Sequence, residues 1–128
     1  MKIAYIFLTT GFEEIEALAT IDLLRRGGVS LSSVSLTASR QVSGGHGVEV
    51  TADKMFDEVD FGMADMLILP GGTVKIDEHE GLKTIIKAHL AKGKPVAAIC
   101  AAPMVLGGMG LLEGKRATCY PEIGRAHV

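Results

Sequence analysis

Residues 95–103 read PVAAICAAP, and this stretch decides the fold. A short apolar run that follows a glycine–lysine–proline turn signal is typical of a buried strand in a parallel sheet. Ala101, Ala102 and Pro103 suit the start of a helix, because a proline in the first helical turn forgoes no hydrogen bond. The stretch therefore predicts a strand that turns into a helix at Cys100.

Cys100 has two interpretations at this corner. The unpaired amides and the dipole of a helix N-terminus lower the pKa of a cysteine thiol, which favours a reactive thiolate. A nucleophile elbow also holds its residue in a strained backbone conformation with an exposed side chain. Alternatively, Cys100 is a small buried residue that packs under the helix, as free cysteines commonly do. The stretch alone leaves both interpretations open.

Strands and helices are predicted to alternate along most of the chain. Strand patterns cover Lys2–Leu8, Val29–Thr37, Asp65–Leu69 and Arg116–Tyr120, and helical patterns cover Glu13–Arg26, Glu80–Lys92 and Pro103–Gly110. A glycine-rich β-hairpin over Gln41–Val50 interrupts the alternation. The pattern predicts an α/β domain with a doubly wound, mostly parallel sheet, helices on both faces and a β-hairpin insertion.

The predicted elements also indicate where a ligand would bind. In a doubly wound sheet the ligand site lies at the carboxyl ends of the strands. Three loops meet that condition, at residues 9–16, 70–73 and 100–103. The first helix is expected to face the sheet with an apolar stripe. That stripe consists of Ile15, Leu18, Ile21 and Leu24.

Composition narrows the function classes. The chain has 128 residues, 48% of them hydrophobic, and a net charge of −2 without a basic block. This balance disfavours nucleic acid or an anionic membrane as a partner. Charged residues interrupt every apolar run, so no membrane span is expected. Two cysteines make no disulfide framework, which favours a reducing cytoplasm.

Three motifs in order carry a family resemblance. They are GFEEIE at residues 11–16, LPGG at 69–72 and AICAAP at 98–103. Together they resemble the ThiJ/PfpI superfamily, and within it the branch of the Parkinson-associated protein deglycase and its bacterial relatives. The resemblance covers residues 1–121, a single domain, and implies a flavodoxin-like fold.

The resemblance implies the roles of individual residues. Cys100 would be the reactive thiolate and Glu16 its carboxylic-acid partner. Gly71, Gly72 and Ala101 would donate backbone hydrogen bonds, as an oxyanion requires. A carboxyl group beside a thiolate is pushed towards its protonated form and can then act as acid or base. Without the resemblance, Glu16 reads as a solvated helix-start carboxylate, and the two glycines as a tight turn.

Other residues carry less functional meaning. Glu13 and Glu14 are interpreted as solvated carboxylates that suit the dipole at the start of a helix. His46 lies in the predicted hairpin turn, and His79 and His89 do not share a helix face. No group of histidine, cysteine and acidic residues has metal-ligand spacing, so no metal is expected. Residues 107–110 lack the spacing of a dinucleotide-binding loop, so no cofactor is expected.

Two positions depart from the family pattern. Tyr120 occupies the position of a frequent site histidine, and a tyrosine is a poor base near neutral pH. Glu16 would then carry more of the proton transfer, with Tyr120 lining the site. Ala101 stands where the protease branch carries a histidine, so peptidase activity is disfavoured. Cys119 is interpreted as a strand residue.

The last residues of the chain are interpreted as non-native. After Pro121 the sequence reads EIGRAHV, which resembles a translated sequencing adapter. Family members continue with further strands and a final helix, so the C-terminal strands and helix are expected to be missing here. We therefore expect residues 122–128 to be an artefact and the natural protein to be longer.

The resemblance implies a cysteine-dependent, cofactor-free glyoxalase or deglycase. Its substrates would be small reactive α-oxoaldehydes or their early adducts, with a hemithioacetal on Cys100 and proton transfer by Glu16. An alternative is an oxidative-stress sensor or chaperone in which Cys100 is oxidised. A glutaminase of the amidotransferase type would need a further histidine and acid. The resemblance also implies a homodimer.

Overall fold

The structure is a computed structural model that describes residues 2–118. Its strands are β1 (Ile3–Leu8), β2 (Ser30–Ser35), β3 (Gln41–Ser43), β4 (Glu49–Thr51), β5 (Lys54–Met55), β6 (Met66–Leu69) and β7 (Val96–Ala98). Its α-helices are α1 (Glu14–Arg26), α2 (Glu80–Ala91) and α3 (Pro103–Gly108). Short 3₁₀ helices cover Phe56–Glu58, Phe61–Met63 and Lys75–Glu78.

Five strands form a parallel sheet in the order β5-β2-β1-β6-β7. In the register, Leu8 lies opposite Ser35, and Leu69 lies opposite Ala98. Strands β3 and β4 form a separate antiparallel hairpin. This architecture confirms the predicted α/β sheet with its hairpin insertion. Because β1, β6 and β7 are neighbours, the loops that follow them meet at one edge of the sheet.

The sheet has a hydrophobic core on each face. Phe7 of β1 packs in a cluster with Leu82 of α2 and Val105 of α3. Ile6, next to Phe7, packs on the opposite face in a cluster with Ala17 of α1 and Val42 of β3. Successive side chains of a strand point to opposite faces, so β1 serves both cores. Helices therefore cover both faces, as predicted.

The predicted buried stripe of α1 is wrong at two positions. Ile15 is 75% exposed and Leu18 is 38% exposed, whereas Glu14 and Ala17 are buried. Neighbouring helical residues differ by roughly 100° around the axis. Because Ala17 faces the sheet, Leu18 points away from it. The buried face at the start of α1 therefore carries an acidic and a small residue, and the large apolar residues beside them are exposed.

Other differences lie at the ends of elements. Strand β5 was not predicted, because two residues are too short for a periodic signal. Residues 116–118 form no strand. The predictions for Cys119, for Tyr120 and for residues 122–128 lie outside the described residues. No helix within residues 2–118 has the length and apolar character needed to cross a membrane.

Candidate active site

Cys100 lies at the corner between β7 and α3. Its φ is 62°, and it is the one non-glycine residue with positive φ in the part of the chain that the structure describes. This left-handed conformation costs a non-glycine residue roughly 1–2 kcal/mol. The Ile99 amide donates to the Leu69 carbonyl at 3.3 Å, and the Ala102 amide donates to the Ile99 carbonyl at 3.1 Å. The strained corner and the half-buried side chain match the elbow interpretation rather than that of a buried structural cysteine.

The start of α1 is bound to the loop that follows β6. The amide of Gly71 donates to Oε1 of Glu16 at 2.9 Å, and the amide of Glu13 donates to the carbonyl of Gly71 at 2.9 Å. Glu13 also caps the helix, since its Oε2 accepts from the amide of Glu16 at 2.8 Å. Both peptide groups of Gly71 are therefore held by the first turn of α1.

Gly71 has no room for a side chain. A Cβ placed there would lie 2.5 Å from the Cβ of Cys100 and 2.6 Å from Oε1 of Glu16. Such distances are shorter than van der Waals contact, so only glycine lets the two side chains approach. Gly72 has φ +93° and would collide with the backbone of Glu13 if it carried a Cβ. Both glycines are required for the close approach of α1 to the β6 loop.

The surroundings of Cys100 raise the pKa of its thiol. Burial is the largest cause, and the charge of Glu16 and a hydrogen bond to its carboxylate add to it. The amides of Ala101 and Gly72 bind the sulfur and act in the opposite direction without prevailing. The expected lowering of this pKa is therefore wrong, because burial of the thiol and the carboxylate next to it outweigh the helix amides. The site pairs a thiol with a group that can take its proton.

The structure brings together five of the six predicted site residues. Cys100, Glu16, Gly71, Gly72 and Ala101 meet at the carboxyl edge of the sheet. The amide of Gly71 was predicted to donate to an oxyanion, but in the structure it donates to Glu16. Ala101 and Gly72 supply the backbone amides whose hydrogen bonds to the sulfur lower the pKa of the thiol. The sixth residue, Tyr120, lies outside the described residues.

Glu14 is a buried carboxylate that we had interpreted as solvated. Only 6% of the residue is exposed, and its carboxylate accepts from the amides of His46 and Val48 at 2.7 and 3.2 Å. Burial opposes ionisation, but these bonds and one from the His46 side chain outweigh it and lower the pKa of Glu14 to about 2. The sequence held no signal for this contact, because the hairpin residues are more than 30 positions away.

The other histidines within residues 2–118 have structural partners. Nδ1 of His79 accepts from the amide of Leu82 at 2.9 Å and so caps α2. His89 is buried, with Nε2 2.8 Å from the carbonyl oxygen of Pro95. These contacts give both residues a role in the fold and none at Cys100.

One group in the described part of the chain has the geometry to hold a metal ion. Ligand atoms of Glu13, Glu14 and His46 lie within 4.8 Å of one another. The sequence spacing did not indicate this group, because the hairpin brings His46 to the start of α1. The carboxylates already accept hydrogen bonds from the hairpin and from the amide of Glu16. We therefore assign these side chains to the contact between hairpin and helix.

Comparison with known sequences agrees with the resemblance. The sequence profile of the DJ-1/PfpI family matches residues 2–127. Protein DJ-1 homolog A of Arabidopsis thaliana is 36% identical over 124 residues, which are 94% of this chain and 32% of that protein. A deglycase of Pyrococcus horikoshii is 34% identical over 121 residues, which are 92% of this chain and 72% of the deglycase. The chain thus spans about a third of the plant relative.

Solved structures show the same fold. Oxidised DJ-1 of Toxoplasma gondii superposes with a TM-score of 0.90 at 36% identity, over 94% of this chain and 68% of that one. A cysteine-to-alanine mutant of a DJ-1 superfamily protein from Salmonella typhimurium superposes with a TM-score of 0.88 at 33% identity, over 93% of this chain and 66% of that one. These matches confirm the predicted architecture.

Proposed function

This chain belongs to the DJ-1/PfpI family, and from that membership we propose that it is a cofactor-free enzyme acting on α-oxoaldehydes or their early adducts. One observation carries the proposal: Cys100 lies on a strained corner, and its Sγ and Oε1 of Glu16 lie 3.1 and 2.6 Å from the same point, the position that a Cβ of Gly71 would take. Such a pair supplies a nucleophile together with a group that accepts and returns its proton.

The first step is addition of Cys100 to the aldehyde carbon of a substrate such as methylglyoxal. A carbon–sulfur bond forms, and the carbonyl electron pair moves to oxygen. The thiol proton passes through Glu16 to that oxygen and gives a hemithioacetal. The amides of Ala101 and Gly72 face the sulfur and stabilise the negative charge on it as its proton leaves.

The second step is proton transfer between the two adjacent carbons. Glu16 takes the proton from the former aldehyde carbon and returns it to the former ketone carbon, while the hydroxyl proton moves to the ketone oxygen. The product is a thioester of a 2-hydroxy acid on Cys100. Water hydrolyses it, releases the acid and restores the thiol. The two reaction steps need no external oxidant or reductant. Deglycation of an aldehyde adduct would begin with the same attack.

The oxidative-stress alternative receives less support from the site. Peroxide reacts with the thiolate, and the surroundings of Cys100 raise the pKa of its thiol. A glutaminase would need a histidine beside the cysteine, whereas His46, His79 and His89 are engaged elsewhere. A free thiol suits a reducing compartment such as the cytoplasm.

The proposed homodimer is supported by exposed apolar side chains on α1 and the hairpin. Ile15 and Leu18 are exposed on α1, and Val48, whose amide binds the neighbouring Glu14, is 45% exposed. Apolar surface shared by two elements is typical of a protein interface. Light scattering of the parent and an Ile15→Glu variant tests this: the parent is expected to be a dimer and the variant a monomer.

Conversion of methylglyoxal to lactate by the 128-residue protein tests the enzyme proposal. Cys100→Ala and Glu16→Gln should each abolish turnover, while Glu49→Gln, an exposed carboxylate on β4, should retain it. Turnover that survives in Cys100→Ala would contradict the proposal. Peroxide-dependent mass gain on Cys100 without turnover in the parent protein would favour the sensor instead.

A further inference from the structure

We propose that Glu14 is a positioning residue through which the β3–β4 hairpin holds Glu16 against Cys100. The inference rests on the proposed function only where turnover is concerned, since the reactivity of Cys100 can be measured without a substrate. It assigns to the hairpin insertion a part in the chemistry of the site.

Five hydrogen bonds join the hairpin to residues 11–14, the loop and first residue of α1. The amide of Gly11 donates to the carbonyl of Ser43 at 2.9 Å, and the amide of Gly45 donates to the carbonyl of Phe12 at 2.8 Å. The carboxylate of Glu14 makes the other three, with the backbone amides of His46 and Val48 and with Nδ1 of His46. Glu14 is the side chain that the helix contributes to this contact, and His46 is the side chain that the hairpin contributes.

Gly44 shows how closely the carboxylate fits the turn. A Cβ at Gly44 would lie 2.5 Å from Cδ and 2.6 Å from Oε2 of Glu14. An alanine there would therefore push the carboxylate out of its place. The φ of Gly44 lies outside the left-handed range, so alanine is compatible with the backbone.

Glu14 and Glu16 hold α1 from different sides. Residues two positions apart in a helix do not face each other, so one carboxylate can bind the hairpin while the other binds Gly71. Gly71 in turn touches Cys100. Release of Glu14 would let the first turn of α1 move relative to the β6 loop. The carboxylate of Glu16 would then lose its fixed distance from the sulfur.

A double-mutant cycle on the alkylation rate of Cys100 tests this coupling. Glu16→Gln is made in the parent and in Glu14→Ala, Gly44→Ala, Glu14→Gln and Glu49→Gln proteins, each shown to be folded by circular dichroism. Iodoacetamide labelling of Cys100 is followed at pH 7 by mass spectrometry. Glu14→Gln is the conservative variant, because its amide oxygen can still accept from the hairpin amides while its NH₂ faces Nδ1 of His46.

In the parent, Glu16→Gln should raise the labelling rate about tenfold, because it removes a charge that raises the pKa of the Cys100 thiol. In Glu14→Ala and Gly44→Ala the same change should fall below about twofold, because Glu16 no longer faces the sulfur. Glu14→Gln and the control Glu49→Gln should keep the full effect. Should Glu14→Ala fail to fold, Gly44→Ala completes the cycle with the side chain of Glu14 intact.

Additive effects would overturn the proposal: a tenfold response to Glu16→Gln that persists in Gly44→Ala or Glu14→Ala shows that Glu14 only stabilises the fold. Loss of the response in Glu49→Gln would overturn it too. Failure of methylglyoxal turnover in the parent would reject the proposed reaction and leave this cycle readable, so the two failures are distinguishable.

Discussion

The side chains of Glu16 and Cys100 meet across Gly71, whose missing side chain makes their contact possible. A Cβ at Gly71 would stand 2.6 Å from Oε1 of Glu16 and 2.5 Å from Cβ of Cys100. The residues come from different elements and are far apart in the chain. A carboxylate and a thiol thus share one small space at the carboxyl edge of the sheet.

This contact predicts that Gly71→Ala disrupts the site. The added methyl group must displace Glu16, Cys100 or the loop, and misplacement by about 1 Å can cost roughly 100-fold in rate. We expect methylglyoxal turnover to fall about 100-fold, as measured by lactate production. Gly108→Ala is the matched control, because nothing lies within 4 Å of a Cβ at that helical position. Equal turnover in the two variants would refute the steric argument.

The backbone at Cys100 predicts an unusual order of stability. Alanine is strained at a φ of 62°, whereas glycine adopts this conformation freely. Cys100→Gly should therefore be about 1 kcal/mol more stable than Cys100→Ala in urea unfolding. An alanine variant as stable as the glycine variant would mean that the corner is relaxed rather than strained.

Glu14 predicts a loss of stability in acid. Its pKa is lowered from 4.5 to about 2 in the folded protein, so its contribution is present above pH 4.5 and fades as the pH falls towards 2. The parent should unfold at higher urea than Glu14→Gln at about pH 6, and this advantage should shrink steadily between about pH 5 and about pH 2. Glu49→Gln, exposed on β4, should show no such trend.

His89 is expected to make the free energy of unfolding depend on pH in a second, higher range. Burial is the main cause that lowers its pKa below 6.5, and the bond to the Pro95 carbonyl opposes this. As the pH falls, His89 is therefore protonated in the unfolded chain before it is protonated in the folded protein. The free energy of unfolding accordingly decreases as the pH falls below about 6.5. His89→Gln should have a flatter curve of unfolding free energy between about pH 7 and about pH 5. A curve as steep as that of the parent would show that His89 does not titrate on unfolding.

Local signals were sufficient to predict much of the fold. The apolar run of residues 3–8, the glycines after α1 and the proline at the start of α3 each act over a few residues, and all gave the correct element. The elbow at Cys100 follows from the same short-range chemistry. The meeting of Glu16 with Cys100 required the resemblance, because no local pattern joins residues so far apart.

Features set by distant contacts were missed. Glu14 looks solvated beside Glu13, and only the hairpin, more than 30 residues away, buries it. Ile15 and Leu18 fit the apolar stripe of a helix, yet both are exposed, because Glu14 and Ala17 occupy the buried face of α1. The raised pKa of the Cys100 thiol comes first from burial and then from the carboxylate of Glu16, whereas the strand-to-helix corner alone predicted a lowered pKa.

The pH dependence of Cys100 alkylation, compared between the parent protein and Glu16→Gln, tests most directly whether the two residues share a proton. The account predicts that the parent thiol titrates above the range of free cysteine, about 8.5. Removing the Glu16 charge should lower that pKa and speed labelling at about pH 7, while turnover is lost. Identical titration curves for the two proteins would contradict the account.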